Sequence, residues 1–238
     1  MEKILQVARE HDLFVIEDAC QAIGSDYTFS DGTVKKAGTM GDIGTTSYFP
    51  SKNLGCYGDG GSIFTHNDEL AAKLRYVVNH GMARRYFHDE IGVNSRLDSI
   101  QAAVLDIKLK HLDEYAMARR KAGDLYDSHF SGIPQLQIPV RSTNSTHVFH
   151  QYTLVTKDID RDKLLGHLQS KNIPCAIYYP VPMHLQKAYA GDRYKEGDLP
   201  VTEDLSRRVI SLPMHTELDK EQIAFIAGAV VDFVSTGT

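Results

Sequence analysis

The apolar positions of this chain change period several times along its length. Over residues 2–11, Ile4, Leu5 and Ala8 recur on one helical face, a turn follows at His11 and Asp12, and Leu13-Phe14-Val15-Ile16 then runs unbroken into Glu17. Such a run predicts a strand covered on both faces, as in the middle of a parallel sheet, and a helix feeding it predicts further strands upstream. Asp31-Gly32 marks the turn of a small hairpin joining residues 25–29 to 33–37. Residues 41–44 lead into a strand over 45–49, and the glycines up to Gly61 return the chain into a strand over 62–65. Asn67 or Asp68 can cap a helix reaching residue 79. Leu97, Ile100, Gln101, Val104, Leu105, Leu109 and Leu112, three or four apart, predict one long helix over 97–130 that bridges two domains.

Ser131-Gly132-Ile133-Pro134, with more turn residues over 141–146, separates that helix from a smaller unit. Its elements alternate: a strand over 148–156, a helix over 160–171, a strand over 175–179, a helix over 202–208 and a closing amphipathic helix over 219–234. The fold class expected is therefore α/β, with a large domain over 1–130 that includes the bridging helix and a small C-terminal α/β domain over 131–238.

Composition narrows the function classes. With 238 residues, 42% of them hydrophobic, the chain can bury a sizeable core. The net charge of -5 comes from interspersed residues, and Arg84-Arg85 and Arg119-Arg120-Lys121 are too short for a nucleic-acid footprint. Cys20, Cys56 and Cys175 are widely spaced and odd in number, which argues against a disulfide framework and for a reducing, cytoplasmic setting. His147 and His150 have no carboxylate or cysteine at ligand spacing, so no metal site is expected. No apolar run reaches membrane-spanning length, and Met1-Glu2-Lys3-Ile4-Leu5 has neither the basic region nor the apolar core of a signal peptide.

The chemistry concentrates in Ser47-Tyr48-Phe49-Pro50-Ser51-Lys52-Asn53-Leu54-Gly55 and the glycine-rich Cys56 to Gly61 that follows. A lysine in a tight loop behind an aromatic strand can serve as a Schiff-base nucleophile once desolvation favours its neutral amine, and it can equally be a solvated loop lysine. Upstream, Val15-Ile16-Glu17-Asp18-Ala19-Cys20-Gln21 is an apolar strand ending in an acid. A strand-end aspartate and a loop lysine are the two anchors a pyridoxal phosphate enzyme needs, one at the ring nitrogen and one at the aldehyde carbon. Cys56 to Gly61 lacks the Lys-Ser or Lys-Thr of a nucleotide-binding phosphate loop. Asn94 and Arg96, before the long helix, can be a turn residue and a solvated charge, and Tyr178 and Tyr179 can be half-buried strand residues.

Taken together, Asp18, Gln21, Ser47, Lys52 and Gly92-Val93-Asn94-Ser95-Arg96-Leu97-Asp98 resemble the DegT/DnrJ/EryC1/StrS family of sugar aminotransferases. Residues 47–65, 84–101 and 178–189 are most similar to enzymes that aminate the 3-keto group of UDP-linked N-acetylhexosaminuronates. The resemblance implies the fold type I architecture of pyridoxal phosphate enzymes. It implies that Lys52 holds pyridoxal 5'-phosphate and then shuttles the proton, that Asp18 faces the pyridine nitrogen, that Gln21 contacts the ring oxygen, and that Ser47 binds the phosphate. Asn94 would reach the cofactor phosphate of the other subunit of a homodimer with shared active sites. Arg96, Arg85, His88, Tyr178 and Tyr179 would contact the substrate. The partners implied are a nucleotide-linked keto sugar and glutamate as amine donor, in surface polysaccharide or glycan biosynthesis. The family's early strands, its Gly-Thr-Ala phosphate cup and its ring-stacking aromatic have no counterpart here. The large domain is thus expected to be incomplete and inactive unless completed by an N-terminal half-chain; the alternative is a catalytically inert interaction or regulatory protein.

Overall fold

In the computed structural model, which describes residues 1–236, helix α1 (Glu2–Glu10) is capped at His11, and Asp12, with a φ of 52°, turns the chain toward strand β1 (Ile16–Asp18). β1 pairs in parallel with β4 (Ile43–Ser47), Ile16 opposite Ile43 and Asp18 opposite Thr45. β4 pairs antiparallel with β5 (Gly61–Phe64), giving a three-stranded sheet ordered β1-β4-β5. A glycine is required at position 44, because a Cβ there would lie 1.8 Å from the Gly38 carbonyl oxygen.

The expected double burial of residues 13–17 is not met. Phe14 is 87% exposed and Ile16 68%, since β1 has a strand neighbour on one side only among the described residues. Regular pairing also starts late, at Ile16: the Val15 carbonyl accepts from Asp42 and Ile43, and its N–H donates to the Asp42 carboxylate at 2.7 Å.

The hairpin forms as expected from β2 (Asp26–Thr28) and β3 (Val34–Lys36), with Gly32 at positive φ. Residues 141–146, read from sequence as turns, return to this hairpin: Thr28 N–H donates to the Asn144 carbonyl, and Asp26 N–H to Thr146 Oγ1. Asn67 caps α2 (Asp68–Val77) by accepting from Glu69 and Leu70 N–H. A second hairpin, β6 (Met82–Arg84) with β7 (Phe87–His88), follows. It lacks apolar alternation and was not foreseen.

The long helix expected over 97–130 is two helices, α3 (Ser99–Leu109) and α4 (Leu112–Phe130). Between them His111 N–H bonds back only three residues, to the Lys108 carbonyl, which tightens the chain before Tyr115 N–H restarts the ladder on His111. Apolar spacing of three or four is blind to such a tight turn.

The chain divides into two compact units, Met1–Met117 with Arg141–His150, and Ala118–Val140 with Gln151 onward. In the first, Leu54, Cys56 and Leu105 are buried, with Ile23, Tyr48 and Leu112 packed against them. The second is built on an antiparallel sheet ordered β10-β9-β8, from β8 (Leu136–Gln137), β9 (Tyr152–Thr156) and β10 (Val209–Leu212). Helices α5 (Arg161–Ser170), α6 (Pro200–Arg208) and α7 (Lys220–Thr236) complete it. Tyr152, Leu154 and Thr156 alternate inward from β9. Tyr126 and Tyr152 rings pack 4.7 Å apart, and burial raises the Tyr126 phenol's pKa and pushes the Cys175 thiol up to about 12. Two expectations need correction. Residues 148–151 precede the strand, Phe149 having a φ of 42°, and 175–179 is one isolated bridge, Ala176 to Ser211. The strand that bridge meets, β10, follows α6 without a turn signal and was missed.

Candidate active site

Parallel pairing of β1 with β4 brings their C-terminal ends together, and the candidate chemistry sits there. Asp18 closes β1, where Cys20 N–H donates to Asp18 Oδ1 at 3.1 Å. Hydrogen bonds from the Cys20 side chain and backbone, and the positive charge of Lys52, hold the Asp18 carboxyl below its usual range. Burial and the Asp18 charge raise the Cys20 thiol. Ser47 closes β4 opposite Gly61, and its Oγ accepts from Phe49 N–H at 3.2 Å. That bond leaves the hydroxyl proton available to an anion. Gln21 lies exposed just beyond the β1 end.

The Lys52 loop is clamped along its length. Lys52 N–H donates to the Phe49 carbonyl at 2.8 Å, Cys56 N–H to Tyr48 at 2.8 Å, and a Cβ on Gly55 would meet the Pro50 carbonyl oxygen at 2.4 Å. From α3, Gln101 Oε1 accepts Tyr57 N–H at 2.8 Å and Lys108 Nζ donates to the Gly55 carbonyl. Buried Asn53 donates from Nδ2 to the Val148 carbonyl at 2.8 Å. Lys52 itself is half-buried. Sequence reasoning placed Gln101 only in the apolar stripe of its helix. A polar residue in such a stripe was the available signal for its role.

A second missed group is Glu17, only 9% exposed. Its carboxylate accepts three backbone N–H groups of the β3–β4 loop, from Gly38 at 2.9 Å, Gly41 at 2.6 Å and Met40. It thereby fixes the loop that passes Gly44 of β4 and Ala19. An acid at the end of an apolar run, ahead of Asp18, was its signal.

Asn94 and Arg96 are also brought together, Arg96 Nε donating to Asn94 Oδ1 at 3.1 Å. Both line a cavity of about 1090 Å³, with Thr45, Gly61, His66 and Arg75 among its other walls. Arg85 and His88 lie instead on the exposed β6–β7 hairpin, Arg85 over the Tyr86 ring at 4.9 Å and His88 Nδ1 donating to the His80 carbonyl at 2.8 Å. Tyr178 and Tyr179 belong to the second unit, their rings edge to face at 5.4 Å and both exposed. Among the described residues no helix is long and apolar enough to cross a membrane.

Residues 1–231 match the DegT/DnrJ/EryC1/StrS aminotransferase family. The chain is 44% identical over 230 residues to a UDP-N-acetyl-3-dehydro-alpha-D-glucosamine 3-aminotransferase of Acidithiobacillus ferrooxidans, covering 97% of this chain and 60% of the relative. It is 42% identical to a pleiotropic regulatory protein of Geobacillus stearothermophilus, covering 98% of this chain and 61% of the relative. Its structure is similar to that of S. venezuelae DesV, with a TM-score of 0.91, 39% identity, and coverage of 98% of this chain and 61% of that one. The chain thus spans about 60% of the length of the relatives it matches.

Proposed function

The chain belongs to the DegT/DnrJ/EryC1/StrS aminotransferase family, and on that premise we propose that it moves an amino group, from glutamate, to a nucleotide-linked keto sugar, with Lys52 as the catalytic residue. The observation that supports this reading is that Asp18 closes β1 beside β4, whose C-terminal end leads into the clamped loop that carries Lys52, and that the Lys52 charge helps lower the Asp18 carboxyl.

The residues present fit pyridoxal phosphate, the cofactor of this family. Asp18, held below the usual carboxylate range, offers a permanent acceptor to a ring N–H; Lys52 offers the primary amine, and Ser47 a hydroxyl proton to a phosphate. When bound, pyridoxal phosphate supplies the electron sink for a carbanion beside the transferred nitrogen. Asp18 keeps that sink charged. Lys52 Nζ would hold the cofactor and, as a free amine, would take and return the proton at the substrate carbon. The bonds from Gln101 and Lys108 hold the loop still, so that this proton moves over a fixed distance. Gln21 at the ring oxygen, Asn94 at a cofactor phosphate across a homodimer, and Arg96, Arg85, His88, Tyr178 and Tyr179 on the substrate complete the assignment. Arginine suits phosphate or uronate oxyanions, and tyrosine rings suit the apolar face of a sugar.

Full activity, on this reading, requires the β1 edge to be covered by an N-terminal half-chain. Exposed Leu13, Phe14 and Ile16 beside an unpaired strand edge support that requirement. The same apolar edge favours the second reading, an inert interaction or regulatory protein. The two separate on loading the protein with pyridoxal phosphate, adding glutamate and measuring 2-oxoglutarate. One equivalent released by the completed assembly and none by its Lys52→Ala variant supports the enzyme, whereas equal release from both would overturn the role of Lys52.

A further inference from the structure

In the second unit, residues 191–200 are all exposed, yet a buried pair ties their base to the fold. His184 Nε2 lies 2.9 Å from Glu203 Oε1, their side chains 5% and 6% exposed. The Glu203 carboxylate also accepts Gly197 N–H at 2.9 and 3.0 Å and Leu199 N–H at 3.3 Å. One carboxylate on α6 thus gathers both ends of the excursion that leaves at His184 and returns at Leu199. Every other contact of Glu203 Oε1 is an N–H donor, so this oxygen accepts and His184 Nε2 is the donor. Among the described residues its Nδ1 is buried without a hydrogen-bond partner, so the ring is turned to Glu203 and not to solvent.

We propose that His184 and Glu203 are positioning residues: they staple residues 184–199 into a preformed strap and so fix the adjoining Tyr178–Tyr179 segment as a sugar-facing edge. Gln186 continues the strap back toward those tyrosines, its Nε2 donating to the Val181 carbonyl at 3.3 Å. Inside the strap, Gly191 bridges Tyr194, and Lys195 N–H meets the Asp198 carboxylate at 3.0 Å. The His184 ring also packs edge-on toward Tyr194, at 6.5 Å. Without the staple, a loop of this length is free to sample many conformations, and ordering it would fall on the substrate.

The positioning role rests on the aminotransferase reading; the staple does not. Hydrogen exchange of residues 178–199 in Glu203→Gln tests the staple alone, with amides of β9 and α7 as the folding control. Glutamine preserves shape but turns one oxygen acceptor into a donor facing N–H groups. Exchange in the strap should quicken at least tenfold while β9 and α7 stay protected; unchanged protection would overturn the staple. In the active assembly the same variant should raise KM for the nucleotide sugar about tenfold with kcat within twofold. A quickened strap with unchanged KM would overturn the positioning role. Absence of sugar turnover in the unsubstituted, completed assembly would sink the aminotransferase reading and leave the exchange result to decide the staple.

Discussion

Replacing Glu17 by alanine should unfold the first unit early, and the structure sets the size of the effect. The carboxylate receives the N–H groups of Gly38, Met40 and Gly41, and Glu17 is almost wholly buried. Truncation leaves three donors without their acceptor, at roughly 1–3 kcal/mol for each that water cannot reach. Water entering the vacated space will satisfy part of this demand, so about 3–6 kcal/mol is the expected loss. Glu17→Gln keeps the volume and one acceptor, and should cost about 1–3 kcal/mol. With a urea dependence of roughly 2–3 kcal/mol per molar, the alanine variant should bring the midpoint of the first unit down by about 1–3 M. The midpoint is read from exchange-protected amides of β4 and β5, so that the second unit does not mask it. A shift equivalent to less than about 0.5 kcal/mol for alanine would refute the idea that this carboxylate holds the β3–β4 loop.

Three further outcomes follow from the site. Borohydride reduction in the presence of pyridoxal phosphate should label Lys52, mapped by peptide mass; a different lysine carrying the label in the active assembly would sink the assignment. The Asp18 carboxyl is depressed on folding, so its stabilising contribution is present above the ordinary value near 3.8 and lost as pH falls through the lower folded value. Asp18→Asn should therefore flatten the acid limb of the first unit's melting profile, and an unaltered limb would contradict the attributed shift. Sedimentation should show concentration-dependent association through the β1 edge, relieved in Ile16→Lys; a monomer at every concentration would count against an uncovered edge.

How much of this was legible from sequence depends on whether each signal was local. Asp31-Gly32 and Asn67 act through their own backbone, and the hairpin and helix they mark form where expected. The break at Lys110 and His111 was invisible because the apolar stripe continues across it. The exposure of Phe14 could not be read from its own run, since covering a strand depends on what lies beside it. At the site, Asp18 and Lys52 stood out by residue type and order, and the Lys52 charge contributes to the lowering of the Asp18 carboxyl. The groups that hold them, Glu17, Gln101 and Lys108, act across 21–53 positions of sequence, where spacing carries no information.

Transfer of labelled nitrogen tests the central claim most directly. The chain, completed by an N-terminal half-chain and loaded with pyridoxal phosphate, is given ¹⁵N-glutamate and a panel of UDP-linked 3-keto sugars, among them an N-acetylhexosaminuronate, and the products are weighed by mass spectrometry. The account predicts a ¹⁵N-amino sugar from at least one of them, abolished in Lys52→Ala. An assembly that carries the cofactor on Lys52 yet delivers no ¹⁵N to any keto sugar would contradict it.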